Sequence, residues 1–325
     1  LSDLQGAEQV AIFKTTVFFS KGSNLYFSAP SDSGDFSAAN GGGVINVSHD
    51  ITGLIAFRDQ LIVFSRNNIQ RLSGTTLADF QLNPITDGIG CLDPDTIQEV
   101  GGDIMYLSPD GIRLLGATDR IGDFSLEVAS DPIADDAYKF TQSTSNFCSI
   151  VIREKAQYRI FGYTQSEQKK VSRGLLVTKF SNQGASNLAW GETAGIKAFV
   201  ADSKYTDYSE TIVFGNEDGY LYKMETGYSF DGDNIEAIYE SPYMPVSDPL
   251  IRKTFYKLTT YVDPKGSFSV DLSLKYDFTR YNNLEVLQPN VINITSSGVS
   301  VFEYGSSTAI YGTATYGGEL DKVYQ

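Results

Sequence analysis

The residues most able to do chemistry are few in this chain, and their spacing argues against an active site. Histidine occurs once, as His49 beside Asp50. A Ser-His-Asp triad would have to use it, and no Gly-x-Ser-x-Gly elbow supplies the nucleophile. Histidine-rich metal sites are excluded by that count. Cys91 and Cys148 stand in unrelated contexts, neither a disulfide framework nor a metal knuckle. They read as buried small hydrophobes, with a single bridge left open. Asp131 with Asp135-Asp136, and Asp231-Gly232-Asp233-Asn234, offer hard oxygen donors of the kind Ca²⁺ takes, but neither has the spacing of a known calcium loop. They read as solvated turns. Gly41-Gly42-Gly43 lacks the Lys-Ser/Thr ending of a phosphate loop and a following helix, and reads as a flexible turn. No catalytic, cofactor-binding or metal residue is therefore assigned, and the expectation is a protein that is not an enzyme.

Two further chemistries concern carbohydrate and charged surfaces. Ser108-Pro109-Asp110-Gly111-Ile112 invites comparison with an aspartate box but departs in spacing and lacks the closing aromatic. A hairpin turn chosen for its backbone angles explains it. A glycosidase needs two carboxylates in one cleft, and 40 acidic residues single out no pair. Trp190 with exposed tyrosines leaves a sugar-binding or sugar-cleaving propeller as the alternative reading. The stretch Ile251 to Leu258 interleaves base and aromatic. On one strand of an acidic chain, Arg252, Lys253, Phe255, Tyr256 and Lys257 make a candidate interface with an acidic partner surface. Asn46-Val47-Ser48 and Asn293-Ile294-Thr295 have the glycosylation pattern, which carries meaning only with a secretory signal.

Behind these residues stands a repeat. Leu54 to Phe57, Leu61 to Phe64 and Ile69 to Leu72 read as three short strands, with turns at Arg58-Asp59-Gln60 and Asn67-Asn68. The pattern returns with Ile97, Val100, Ile104, Tyr106-Leu107, Ser108, Asp110-Gly111 and Ile112 in the matching places. Gly195 to Phe199 echoes Gly53 to Phe57 and continues through Ile212 to Tyr222, with a longer first hairpin loop expected around Asp202 to Glu210. A repeat of roughly 40–50 residues built from short strands is the pattern of a β-propeller blade. One blade cannot bury both faces of its sheet, so blades must pack face to face.

Composition agrees. The chain has 325 residues, 41% hydrophobic and 13% aromatic, enough for a large core. Thirty Gly and 10 Pro favour an all-β chain. No stretch of 15 or more residues has a clean helical period with caps. The net charge of −15 disfavours binding to phosphate backbones or anionic lipid and reads as a solvated surface; it does not forbid passage of DNA through a channel, where an acidic wall would limit sticking. No run reaches the ~18 apolar residues of a membrane span, so no membrane insertion is expected.

The expected organisation is all-β: a propeller of about five to six blades over 1–239, its first blade partial, then a C-terminal antiparallel β-sandwich-like domain over 240–325. Val10 to Phe19 is read as one strand pairing with Asn24 to Ser28. Beyond the proline-rich link around Pro242, Pro245 and Pro249, longer alternating strands are expected at Ile235 to Tyr243, Thr254 to Val262, Phe268 to Phe278 and Val291 to Tyr304. The glycine- and tyrosine-rich tail offers a further edge strand.

The run Leu25-Tyr26-Phe27-Ser28-Ala29-Pro30-Ser31-Asp32 with Asp35-Phe36, then Ile51-Thr52-Gly53-Leu54 through Phe64, and Gly88-Ile89-Gly90-Cys91 to Gly111-Ile112, resembles the tail nozzle (tail tubular) family of tailed bacteriophages. The resemblance covers roughly residues 25–115, and 195–230 more weakly. It departs where Ser31-Asp32-Ser33 replaces the family's usual Pro-Gly-Asp-Pro. It implies a non-enzymatic virion structural protein of the tail or neck, without cofactor. It further implies a homo-oligomeric ring, commonly a hexamer, which contacts portal, adaptor, tube or fibre proteins and takes DNA only as passing cargo during ejection.

Overall fold

The computed structural model describes residues 5–117, 124–164, 172–182, 185–206, 208–227, 229–232, 235–242, 244, 248, 257–262, 268–274, 291–296 and 322–324. Chain contacts divide into two compact units, Leu1–Tyr228 and Ser229–Gln325.

The first unit is a succession of antiparallel meanders. Strands β1 (Val10–Phe13), β2 (Thr16–Lys21), β3 (Asn24–Phe27) and β4 (Gly43–Asn46) form the first sheet. The second holds β5 (Ile51–Phe57), β6 (Gln60–Ser65), β7 (Asn68–Ser73) and β8 (Gln81–Asp87). The third holds β9 (Gln98–Val100), β10 (Asp103–Ser108), β11 (Gly111–Ala117) and β12 (Phe124–Val128). A helix, α1 (Ala134–Ser143), leads to the fourth: β13 (Asn146–Ile152), β14 (Gln157–Tyr163), β15 (Arg173–Asn182) and β16 (Ala185–Ala194). The fifth has three described strands, β17 (Val200–Thr206), β18 (Ser209–Gly215) and β19 (Leu221–Lys223).

Alternation along the central strands explains why these sheets stack. Successive side chains of a strand point to opposite faces. Leu61 and Val63 of β6 join Phe18, Leu25 and Phe27 in a core between the first and second sheets. Ile62 and Phe64 of the same strand join Ile104, Tyr106 and Leu115 between the second and third. The Phe64 and Tyr106 rings lie 5.1 Å apart. On β10, Met105 and Leu107 face the other way, into a core with Phe147, Tyr158 and Ile160 of the fourth sheet. Ile150, Ile152 and Phe161 then meet Ile212 and Phe214 of the fifth. Each fully buried side chain of this size contributes roughly 2 kcal/mol relative to exposure, so a sheet of the series is stable only with its neighbours in place.

The first strands of successive sheets also approach one another. β1 lies against β5, and β9 and β17 both lie against β13. Ser149 donates to the Asp95 carbonyl at 2.6 Å, and Ser203 to the Val151 carbonyl at 2.8 Å. Four-stranded meanders that stack face to face and converge by their first strands are blades of a β-propeller; four such sheets are described here, with a fifth of three described strands.

Several expectations need correction. Val10 to Phe19 is not one strand. Lys14, at φ 54°, and Thr15 turn it into the β1–β2 hairpin, so the first sheet has four strands instead of being partial. Gly195 to Phe199 is not a first strand but the link before β17. The presumed loop from Asp202 to Glu210 is mostly ladder, pairing from Val200 with Gly215 to Thr206 with Ser209. Helix α1 was not anticipated, because its ten residues are too short to show a period. Its Ala137 and Phe140 are buried in the core between the third and fourth sheets.

The described part of the second unit contains two antiparallel ladders. β20 (Thr260–Val262) pairs with β23 (Lys322–Tyr324), which places a strand in the tail. β21 (Phe268–Leu272) pairs with β22 (Ile292–Ser296). Residues 235–242 carry no strand. Of the longer strands expected there, 275–278 and 297–304 lie outside the described residues, as does 254–256.

Candidate interaction surfaces

Where they are described, several of the chemically suggestive residues hold turns or lie in a core. His49 is exposed in the link between β4 and β5. Asp110 holds the β10–β11 turn by a two-point bond to Arg113, accepting from Nε at 3.0 Å and from a terminal guanidinium nitrogen. That hydrogen bond lowers the Asp110 carboxyl below its ordinary value against the opposing effect of burial. The Arg113 residue is itself buried. Burial raises both thiols, Cys91 and Cys148, to about 12, and both cysteines are free. Asp131 opens a turn before α1, and Asp135 and Asp136 lie in its first turn, where carboxylates complement the helix dipole. Among the described residues no three acidic, histidine or cysteine side chains are gathered as metal ligands. Asp231 is exposed, while Asp233 and Asn234 lie outside the described residues. Asn46 donates to Asn24 at 2.9 Å, and Asn293 to Ser269 at 3.0 Å.

Of the candidate interface, Arg252, Lys253, Phe255 and Tyr256 lie outside the described residues, and Lys257 is exposed. Trp190 does not stand out as a stacking platform. On β16 it pairs with Val177 of β15, half-buried against the core of the third and fourth sheets, with its indole nitrogen buried.

What the structure does bring together is an apolar face on the first sheet and a smaller apolar spot on the fifth. On the first sheet, Val10, Phe19, Tyr26 and Val44 form one row across all four strands. Ile12 and Val17 make the row beside it. Phe19 is buried under Tyr26, stacked at 5.0 Å, and Phe36. Val10 and Ile12 remain 69% and 68% exposed. On the fifth sheet Val200 and Leu221 flank Gly215, and Leu221 is 78% exposed, but the next row of that face is Asp202, Val213 and Lys223. The sequence carried a signal for the first face, because Val10 to Phe13 is apolar on both sides of the strand and so needs two covers.

A second feature is the fastening of the fifth sheet to the fourth. The Glu154 amide donates to the Glu210 carboxylate at 3.0 Å, and the Glu210 amide donates to the Glu154 carboxylate at 2.9 Å. Below β19, Glu225 sits at φ 57°. Its carboxylate accepts from Lys155 at 2.6 Å and from Arg159 at 2.5 Å. The hydrogen bond from Lys155, then that from Arg159, lowers the Glu225 carboxyl against partial burial. A small polar cleft of about 50 Å³, lined by Gln98, Ser149, Arg153, Asp202 and Ser203 among others, lies where the first strands of the third to fifth sheets meet.

The fold and these surfaces define an all-β propeller with an apolar outward face on its first sheet. No family model and no curated protein matches the chain. Among solved structures, it is similar to Hsv2 of Kluyveromyces lactis at 9% identity and a TM-score of 0.33, covering 57% of this chain and 62% of that one. It is also similar to the N-terminal domain of Nup159, at 9% identity and 0.27, covering 89% and 71%. A putative exported protein of Bacteroides fragilis matches at 10% identity and 0.20, covering 57% and 71%. The chain thus spans less than two thirds of the Hsv2 chain it matches.

Proposed function

We propose that this chain is a non-enzymatic structural protein of a bacteriophage tail or neck, resident in the virion. It assembles with copies of itself as a ring, a hexamer by the family resemblance, around the channel through which DNA is ejected. It contacts portal, adaptor, tube or fibre proteins. The observation that carries this reading is the outward apolar face of the first sheet, since contiguous exposed apolar patches mark interaction sites. The resemblance over Leu25 to Ile112 falls on the strands that build the first three sheets, which accounts for its propeller-like content. The acidic balance suits a wall past which DNA slides. A ring of identical copies needs a heterologous interface that closes on itself.

Native mass measurement and negative-stain imaging of the full chain, with a glycan-binding assay beside them, test this function. A closed ring that ignores glycans is the expected result. A monomer that binds or hydrolyses glycans overturns it and leaves the carbohydrate reading in its place.

A further inference from the structure

The fifth sheet meets the fourth through charge as well as through a shared core. Among the described residues three ion pairs cross this boundary: Arg153–Glu210, Lys155–Glu225 and Arg159–Glu225. The three cations stand on β14 or on its turn from β13, while Glu210 belongs to β18 and Glu225 to the segment leaving β19. The Glu210 side chain is 0% exposed. It shares the face of β18 that carries Ile212 and Phe214 into the core with the fourth sheet. One carboxylate oxygen accepts from the Glu154 amide at 3.0 Å, and the other lies 3.9 Å from the Arg153 guanidinium. Tyr205, its ladder partner on β17, and the Glu154 carboxylate, which accepts from the Glu210 amide at 2.9 Å, also face it. Glu225 faces Lys155 and Arg159.

Acid removes this fastening. Burial opposes the charge of Glu210, yet the Glu154 and Arg153 amides and the Ser203 hydroxyl hold its carboxyl below the ordinary value. Lys155 and Arg159 do the same for Glu225. Both carboxyls therefore contribute fully above 4.5 and lose that contribution as pH falls through the lowered values. Once they are neutral, the Arg159 guanidinium, 11% exposed, has lost its carboxylate, and a nearly buried charge without its partner is costly. The boundary between the third and fourth sheets carries one such pair among the described residues, Lys179–Asp103, beside a neutral bond from the Tyr158 hydroxyl to the Thr96 carbonyl. Between the second and third, the core of Ile62, Phe64, Ile104 and Tyr106 does not depend on a carboxylate.

We propose that the fifth sheet is an acid-released blade: proton uptake by Glu210 and Glu225 frees it from the fourth sheet as a unit while the first four sheets stay packed. Release uncovers the apolar side of the fourth sheet at Ile150, Ile152 and Phe161. The proposal holds for a single chain and does not depend on ring formation.

The two natural cysteines test it. Cys148 shares the face of β13 with Ile150 and Ile152 and lies against the Ala201 backbone of the fifth sheet, so release exposes it. Cys91 is sealed in the core between the second and third sheets and stays covered. The full-length chain is pulse-labelled with a dithiodipyridine, which reacts with thiols in acid, from neutral pH down to about pH 3, and each rate is referred to the urea-unfolded chain at the same pH. Below about pH 4.5 labelling of Cys148 should rise at least ~10-fold while that of Cys91 does not change. Both thiols opening together, or Cys148 staying covered throughout, overturns the proposal. The double variant Glu210→Gln, Glu225→Gln imitates the neutral carboxyls. At neutral pH it should label at Cys148 as the wild type does in acid, with Cys91 still covered. A double variant that keeps Cys148 covered overturns the proposal. If it uncovers Cys91 as well, it has lost the whole fold, and the wild-type pH series decides.

Discussion

Glu225 shows how one carboxylate can join two blades. It takes donors from Lys155 and from Arg159, whose side chain is only 11% exposed. Glu225→Gln removes the charge opposite a nearly buried guanidinium. The carboxylate is itself partly exposed, so the cost should lie near ~1–2 kcal/mol, below that of a fully buried pair. Denaturant unfolding of the variant measures it. The pH dependence follows from the direction of the shift. The folded carboxyl titrates below its ordinary value of 4.5, so its contribution is complete above that value and is lost as pH falls through the lowered one. Wild-type melting temperature should therefore drop on acidification below about 4.5 more steeply than that of Glu225→Gln. Parallel melting curves for the two would show that the carboxylate carries no such linkage. Tyr158 makes a different point. Its ring is wholly buried and its hydroxyl donates to the Thr96 carbonyl at 2.9 Å, joining the fourth sheet to the turn before β9. Tyr158→Phe keeps the ring but leaves that carbonyl without its donor, and should cost about 1–2 kcal/mol by chemical unfolding.

Strand alternation is the part of the fold most legible in the chain, because it is local and its period is two. Leu61 to Phe64 could be read as a strand from four apolar residues, yet why both faces are apolar becomes clear only when a core is seen on each side. The turns were harder. Asn67-Asn68 announces itself, but Lys14 adopts φ 54° with no residue type to signal it, so the hairpin reads in sequence as a single strand. The likeness of Gly195–Phe199 to Gly53–Phe57 misled for a related reason. Five similar residues cannot fix register, and β17 begins after them because Val200 to Thr206 has a partner in Ser209 to Gly215. Candidate interface residues were legible only as composition, since the partners of a surface do not appear in the chain that presents it. At this scale Gly90 is the sharpest probe. A Cβ there would sit 2.1 Å from the Ser65 carbonyl oxygen and 2.5 Å from the Arg66 carbonyl carbon, both backbone. Nothing flexible can yield, so Gly90→Ala should shift the link between β8 and β9 and cost upward of ~2 kcal/mol, seen as a lowered thermal midpoint.

For the molecule as a whole, the four shared cores imply that stability belongs to interfaces between sheets more than to sheets. A middle sheet is stabilised from both sides, whereas the first and fifth each have one described core. Repeat proteins of this kind behave as chains of nearest-neighbour terms in which a removed neighbour is felt as a lost interface. Phe64→Ala deletes a ring in the core of the second and third sheets and should cost ~3–5 kcal/mol in the full chain. Removing a sheet should do far more. A chain ending at Tyr228 keeps all five sheets and all four cores, and should unfold in one cooperative step. A chain ending at Val128 loses the fourth and fifth sheets and α1, and with the fourth sheet and α1 the cover over Met105, Leu107 and Ile112. Those residues, buried in the intact protein, would face water across a whole sheet. The shorter chain should accordingly bind a hydrophobic dye and lose its sharp thermal transition while keeping strand signal in the far ultraviolet. If it melted as sharply as the longer chain, each sheet would be sufficient to itself, and the physical reason for the repeat would have to be sought elsewhere.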